Sequence, residues 1–225
     1  MNSQAVLSAW ESDVLGVRVG TLNFPDNPLL ELDNIRAWNR EHFDVIFVRC
    51  EGWVDPMRSV SALDYLYEME AQLTTEKPRT SCVSLMCFPS KRHIEIALEA
   101  FPESRFYRDH RLSDRASSRY VRWLSEHQAY VPTEAPDDAF LVTQDDPDGA
   151  RRISLIAVSS LRRSTGIGDR LVTGVLAIEP TRKIWRVRVS ARNYRAIRFY
   201  ERVGFRVKSV STTFHVWTRG GRENG

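Results

Sequence analysis

Apolar residues recur along the chain at two spacings, every second position and every third or fourth, and their succession sketches the fold. Val14–Leu22 alternates with a strand period. Asn27 and Pro28 then read as the cap and first turn of a helix running to about His42. Phe43–Arg49 is an apolar run of strand length, Met57–Gln72 is read as a helix, and Ser81–Phe88 as a strand. Pro89-Ser90 and Phe101-Pro102 bracket a short helix and mark the boundary region. Ser113–Glu126 places Ala116, Tyr120, Trp123 and Leu124 at helical spacing, with Ser113 as its cap. Tyr130-Val131 and Ala139–Thr143 read as strands separated by a turn over Glu134–Asp138. Asp146-Pro-Asp-Gly149 is a turn leading into a strand at Ile153–Val158. A helix over Asp169–Ile178, a strand over Ile184–Val189, a helix over Asn193–Val203 and strand character from Phe205 to Trp217 complete the order. Gly220–Gly225 reads as a frayed tail. The alternation gives an α/β protein, expected as a smaller N-terminal α/β domain over residues 1–100 and a second domain over 101–225.

Composition narrows the class. The chain has 225 residues, 42% of them hydrophobic, which is ordinary for a globular protein with a real core. No apolar run approaches the roughly 20 residues of a membrane helix, and the N-terminus lacks a basic-then-apolar leader pattern, so a cytoplasmic protein without membrane attachment is expected. Cys50, Cys82 and Cys87 fit no paired spacing and read as reduced thiols. The five histidines are scattered singly, so no metal site is expected. The net charge of +3 conceals an asymmetry. From Arg151 onward there are 17 Lys and Arg against 4 Asp and Glu, which is +13, leaving −10 for residues 1–150. Such a basic third suggests a polyanion, either nucleic acid or a phosphate-rich small ligand.

The stretch Leu161-Arg-Arg-Ser-Thr-Gly-Ile-Gly-Asp-Arg-Leu171 lies between a strand and a helix. Unpaired N–H groups at a helix start attract phosphate oxygens, and Gly166 and Gly168 let the backbone come close. A P-loop would need Lys-Ser or Lys-Thr after its last glycine, where this chain has Asp169-Arg170, and the dinucleotide fingerprint would need a third glycine where it has Leu171. An ordinary strand-to-helix turn is the other reading.

Arg163-Ser-Thr-Gly166-Ile-Gly168, followed one helix and one strand later by Asn193-Tyr-Arg-Ala196-Ile-Arg-Phe199-Tyr200-Glu201-Arg-Val-Gly204-Phe205, resembles the GNAT superfamily of acyl-CoA N-acyltransferases. Ser164-Thr165 departs from the Gly-Lys or Gly-Arg common there. The resemblance implies a GNAT fold with a mixed, splayed sheet. It also implies that Arg163, Ser164, Thr165, Gly166, Ile167 and Gly168 hold the pyrophosphate of acetyl-CoA. The backbone around Ile156 and Val158 would pair with the pantetheine arm and polarise the thioester carbonyl. Asn193 would touch the pantetheine region, and Tyr200 would protonate the departing thiolate. The other reading of Tyr200 is a core aromatic beside Phe199 and Phe205, and that of Arg195, Arg198 and Arg202 is a solvated helix face.

Trp10–Leu22, Ser104–Leu112 with the helix ending in Trp123, and Ser211–Trp217 further resemble the dTDP-fucosamine acetyltransferases, although those proteins often carry phenylalanine at Val14-Leu15. That likeness implies a nucleotide-linked 4-amino-dideoxy sugar as acceptor, Phe106, Tyr107 and His215 on the acceptor side, and a homodimer. Phe106-Tyr107 and His215 also suit packing roles. No His-Asp or His-Cys arrangement for an acyl-enzyme is evident, so direct attack by the amine is expected. His215, His110, Asp13 or a water chain could take its proton. A protein or peptide N-acetyltransferase would use the same cofactor loop. A nucleic-acid module is disfavoured, because the arginines are spread over strand, loop and helix. An inactive CoA-binding domain is disfavoured by the presence of Tyr200.

Overall fold

A computed structural model describes residues 4–24, 32–54, 60–72, 82–86, 88–101, 104–179 and 181–219. In chain order the elements are β1 (Val6–Leu7), α1 (Ala9–Leu15), β2 (Val19–Phe24), α2 (Leu32–Asn39), β3 (Val45–Glu51), β4 (Ser61–Gln72), β5 (Val83–Met86), α3 (Lys91–Ala100), α4 (Arg105–Arg108), α5 (Ser113–Ser125), β6 (Ala129–Pro132), β7 (Ala139–Asp145), β8 (Arg151–Val158), α6 (Ile167–Ile178), β9 (Ile184–Ser190), α7 (Tyr194–Arg202) and β10 (Arg206–Trp217). None of the described helices is long and apolar enough to cross a membrane. The expected helix start at Asn27-Pro28, Cys87 and the Gly220–Gly225 tail lie outside the described residues.

Two elements differ from the pattern reading. Residues 61–72 are a strand, not the end of a helix. Leu63, Tyr65, Tyr67, Met69 and Ala71 alternate with Asp64, Glu68 and Glu70, and the carboxylates of Glu68 and Glu70 meet arginines of β8 and β9. A helix would put both sets on mixed faces. The strand expected from Val14 begins at Val19, because Ala9–Leu15 is helical and Gly16, at φ 61°, ends that helix in a left-handed turn.

Residue contacts group the chain into two compact units. The first draws on Met1–Leu66, Glu103–Arg119 and Ser209–Gly225, and the second on Tyr67–Pro102 and Tyr120–Lys208. Where the sequence reading sets one boundary near residue 100, the units interleave along the chain.

In the first unit β1 pairs antiparallel with β2, β2 runs parallel to β3, and Ser211–Trp217 of β10 runs antiparallel to β3. One face of this sheet buries Ile46, Val48, Phe214 and Val216 with Leu32 and Ile35 of α2. The other buries Val45 and Phe47 with Leu15, Phe106, Leu112 and Ala116.

The second unit orders its strands β4-β9-β8-β7-β6-β5. The steps from β5 to β8 are antiparallel, and β8 and β9 are parallel. Ile96 and Ala97 of α3 pack on one face with Phe140, Val142, Leu155 and Ala157. Leu171, Val172, Val175 and Leu176 of α6, with Tyr200 and Phe205, cover the other. Each such side chain contributes about 1.5–3 kcal/mol by leaving water.

Close packing of α6 is visible at Gly174, where an added Cβ would stand 2.7 Å from Cγ1 of Val83. Gly174→Val is expected to destabilise the protein by about 1–3 kcal/mol through overpacking. Thermal melting checks this, and an unchanged melting temperature would mean that β5 yields freely.

Candidate active site

The opening in the second unit begins with one surplus residue. Val142 of β7 faces Leu155 of β8 while Thr143 faces Ile153, so Ser154 is left without a partner across the ladder. A bulge of this kind bends its strand. On the other edge of β8, the parallel register with β9 covers Arg151–Ile153 opposite Trp185–Val187 and goes no further. Ile156 and Val158 lie beyond that point, half-buried and on the side of the α6 cluster. Edge N–H and C=O groups there are suited to pairing with an extended chain.

The parted strand leads into a short 3-10 turn at Ser160–Arg162 and then the loop Arg163–Gly166. Ser164 adopts φ 64°, the left-handed region, and is the only non-glycine among the described residues to do so. A departure from glycine at this position therefore carries backbone strain, on the order of 1–3 kcal/mol. Gly166, at φ 79°, occupies the N-cap position of α6, and no side chain caps that helix. The donors of its first turn thus face outward with the positive end of the helix dipole. A Cβ at Gly168 would come within 3.3 Å of the Phe199 ring and 3.7 Å of Val158. Glycine keeps the loop, β8 and α7 close together.

Arg163 is exposed, and its Nε donates to the Val158 carbonyl at 3.3 Å. The Thr165 hydroxyl donates to the Arg162 carbonyl at 2.7 Å, tightening the loop on itself. Ile167 is buried beneath it.

Asn193 caps α7, its Oδ1 accepting from the Ala196 N–H at 3.0 Å. Tyr200 follows on that helix and is only 3% exposed. Its ring meets Phe199 and Phe205 edge-on, with centroids 4.9 and 5.4 Å apart. Burial raises its pKa far above that of an ordinary phenol, so the hydroxyl stays protonated and acts as a donor. The loop, the Ile156–Val158 edge, Asn193 and Tyr200 all belong to the second unit.

Phe106, Tyr107 and His215 belong to the first unit. Phe106 is 4% exposed, with the Arg119 guanidinium 4.0 Å above its ring. The Tyr107 hydroxyl bonds the Ser117 hydroxyl at 2.8 Å. His215 stacks on Phe47 at 4.3 Å and donates from Nδ1 to Oδ2 of Asp109 at 2.7 Å. The same oxygen accepts the Trp217 indole N–H at 3.1 Å, and the Arg111 N–H reaches Oδ1. This His-Asp pair was not evident in the sequence. The two residues lie 106 positions apart, and Asp109 bears no motif. Burial lowers the His215 pKa most, the bond to Asp109 raises it, Arg105 lowers it again, and it settles at about 4. The imidazole is therefore neutral at pH 7, with its buried Nε2 unpartnered among the described residues. His110 and Asp13, the other proton acceptors considered, are both exposed.

Residues 130–207 match the family model described as the acetyltransferase (GNAT) domain. That stretch runs from β6 to the start of β10 and holds the parted strands, the uncapped helix and Tyr200. It is a GNAT acetyltransferase domain. No curated protein matches the sequence. Among solved structures, a GNAT-family protein of Novosphingobium aromaticivorans aligns at 18% identity and a TM-score of 0.55, over 82% of this chain and 78% of that one. A GCN5-related N-acetyltransferase from Sphaerobacter thermophilus aligns at 16% identity and 0.52, over 90% and 74%. A conserved protein of unknown function from Staphylococcus epidermidis aligns at 12% identity and 0.61, over 96% and 92%. These likenesses give the fold, which is the mixed α/β GNAT fold. The chain carries the catalytic domain of an acyl-CoA N-acyltransferase and is an enzyme of that kind.

Because the folded-state pKa of His215 lies below the ordinary 6.5, the unfolded chain binds the extra proton between those values. Stability is thus complete above about pH 6.5 and falls as the pH drops toward about 4, by on the order of 3 kcal/mol at most. Melting temperature against pH is expected to show this slope, and His215→Phe to flatten it. An unchanged slope in the variant would assign it to other groups.

Proposed function

We propose that the protein acetylates the amino group of a nucleotide-linked amino-deoxysugar of the dTDP-4-amino-4,6-dideoxyhexose type, using acetyl-CoA, by direct attack in a ternary complex. For the acyl donor, the observation that carries the reading is the edge of β8 that parts from β9 beyond Ile153 and runs into the uncapped start of α6. The cradle fits the group, since a side chain at Gly168 would press on Phe199 and Val158. For the acceptor, the support is the sequence likeness over Trp10–Leu22, Ser104–Leu112 and Ser211–Trp217, which lie mostly outside the matched domain.

Acetyl-CoA supplies an acetyl group already activated as a thioester. The amides of Arg163–Gly168 bind and orient its pyrophosphate. The backbone of Ile156 and Val158 receives the pantetheine arm, with Arg163 releasing the Val158 carbonyl, and an N–H of the same edge polarises the thioester carbonyl. Asn193 fixes the start of α7, and Tyr200 presents its proton to the leaving sulfur. The buried phenol is a weak acid, so its contribution is a hydrogen bond that strengthens as charge develops. For Phe106 and His215, burial favours packing within the first unit over contact with the acceptor. Deprotonation of the amine then falls to solvent-connected groups.

Tyr200→Phe is expected to lower kcat about a hundredfold while leaving acetyl-CoA affinity nearly unchanged. Unchanged turnover would remove Tyr200 from the reaction. The acceptor is tested by thiol release from acetyl-CoA with dTDP-linked 4-amino and 3-amino sugars, a free amino sugar, polyamines and short peptides. Turnover with a dTDP-amino sugar alone is the expected result. Turnover with peptides alone would keep the acyl-CoA site and overturn the sugar.

A further inference from the structure

The turn between β6 and β7, residues 133–138, does more than join two strands. Its last residue, Asp138, faces the end of β8. The Asp138 carbonyl accepts the Ser159 N–H at 2.8 Å, its Oδ1 accepts the Ser159 hydroxyl at 3.4 Å, and its Oδ2 accepts Arg162 Nε at 3.0 Å. Ser159 and Arg162 flank the short 3-10 turn that feeds the loop. At the other end of the loop, Glu134 of the same turn takes Arg170 of α6, with Oε1 2.6 Å from Nη2, while Arg170 Nη1 donates to the Thr165 carbonyl at 3.3 Å. The turn is itself anchored. Thr133 donates its N–H to the Cys82 carbonyl, and buried His93 at the start of α3 bonds the Pro136 carbonyl at 2.7 Å. His93 Nδ1 accepts the Ser90 N–H, so Nε2 is the protonated nitrogen and donates to Pro136.

We infer that Asp138 is a positioning residue for the acyl-CoA loop, setting the direction in which the chain leaves β8 so that the amides of residues 164–168 converge on a diphosphate. This rests on the reading of that loop given under the proposed function. The Arg162–Asp138 pair is 55% and 29% exposed, and pairs that exposed add little to stability. Its geometry has a different consequence. One residue fixes both sides of the turn entering the loop, through three bonds and with one carboxylate. The strained φ of Ser164 lies two residues beyond Arg162, and local strain persists only where surrounding contacts over-determine the backbone. Asp138 and Glu134 supply those contacts from outside the loop.

Calorimetric binding to the full-length protein tests the inference, with coenzyme A compared against pantetheine, which has the thiol arm but no diphosphate or nucleotide. The wild type is expected to bind coenzyme A more tightly. Asp138→Ala is expected to weaken coenzyme A by about tenfold, the scale of one charge-assisted hydrogen bond, and to leave pantetheine unchanged. Asp138→Asn keeps an acceptor and should fall between, which covers an alanine variant that fails to fold. Arg162→Ala added to Asp138→Ala should cost little more, because the two act through one contact. Equal weakening of both ligands would mean a general structural role and overturn the inference. So would unchanged or tighter coenzyme A binding, the latter showing that Asp138 competes for Arg162. If the wild type itself shows no preference for coenzyme A over pantetheine, the phosphate reading of the loop fails first.

Discussion

The second unit turns on a single mismatch in count. β8 carries one residue more than β7 across their shared ladder, and the surplus falls at Ser154, next to the last position where β8 meets β9. Every functional feature of the unit lies downstream of that point: the bare edge at Ile156 and Val158, the loop, and the helix start it feeds. The antiparallel partner stays continuous on the far edge, so β8 can leave β9 without losing its place in the sheet. Opening one side while the other remains zipped gives a cleft with a rigid wall. Preorganised edges of this kind bind without first paying to order themselves.

Charge plays a structural part that the composition disguised. The basic third of the chain suggested a polyanionic partner, yet many of its arginines already have partners. Arg152 binds Glu68 and both oxygens of Asp146, Arg188 binds the other oxygen of Glu68, and Arg186 reaches Glu70, Asp146 and Asp148. Burial pushes the Glu68 carboxyl up, but the bonds from Arg152 and Arg188 outweigh it and hold the group below the usual carboxylate range. The acidic excess of residues 1–150 and the basic excess after Arg151 are therefore largely one internal complementarity. What remains outward, on the exposed residues of α7 and the loop, is a smaller field than +13 implies.

Local chemistry explains which parts were legible in the sequence. The loop and the Asn193–Phe205 segment could be read because glycine, a helix cap and a buried tyrosine act within a few residues of one another. The helices over Lys91–Ala100 and Ile167–Ile178 and the strand over Ile184–Ser190 followed from periodicity alone. β4 did not, since its carboxylates look like the polar face of a helix until the arginines 84 to 120 positions away are known. Ser154 carries no mark of a bulge, which is a property of two strands together. Asp138 and Glu134 looked like turn residues, which they are, and their grip on the loop depends on where β8 ends. The Asp109–His215 pair likewise exists only through the fold.

The way the chain is threaded has a consequence for its history and its use as a scaffold. β4 passes from the first unit into the second near Leu66, and β10 returns from the second to the first near Lys208. Matched residues 130–207 lack β4 and β5, two of the six strands in the sheet they share. Such a domain cannot be moved to another protein by a single genetic cut, nor gained by simple end-to-end fusion. The flanking segments and the catalytic domain must have diversified as one piece.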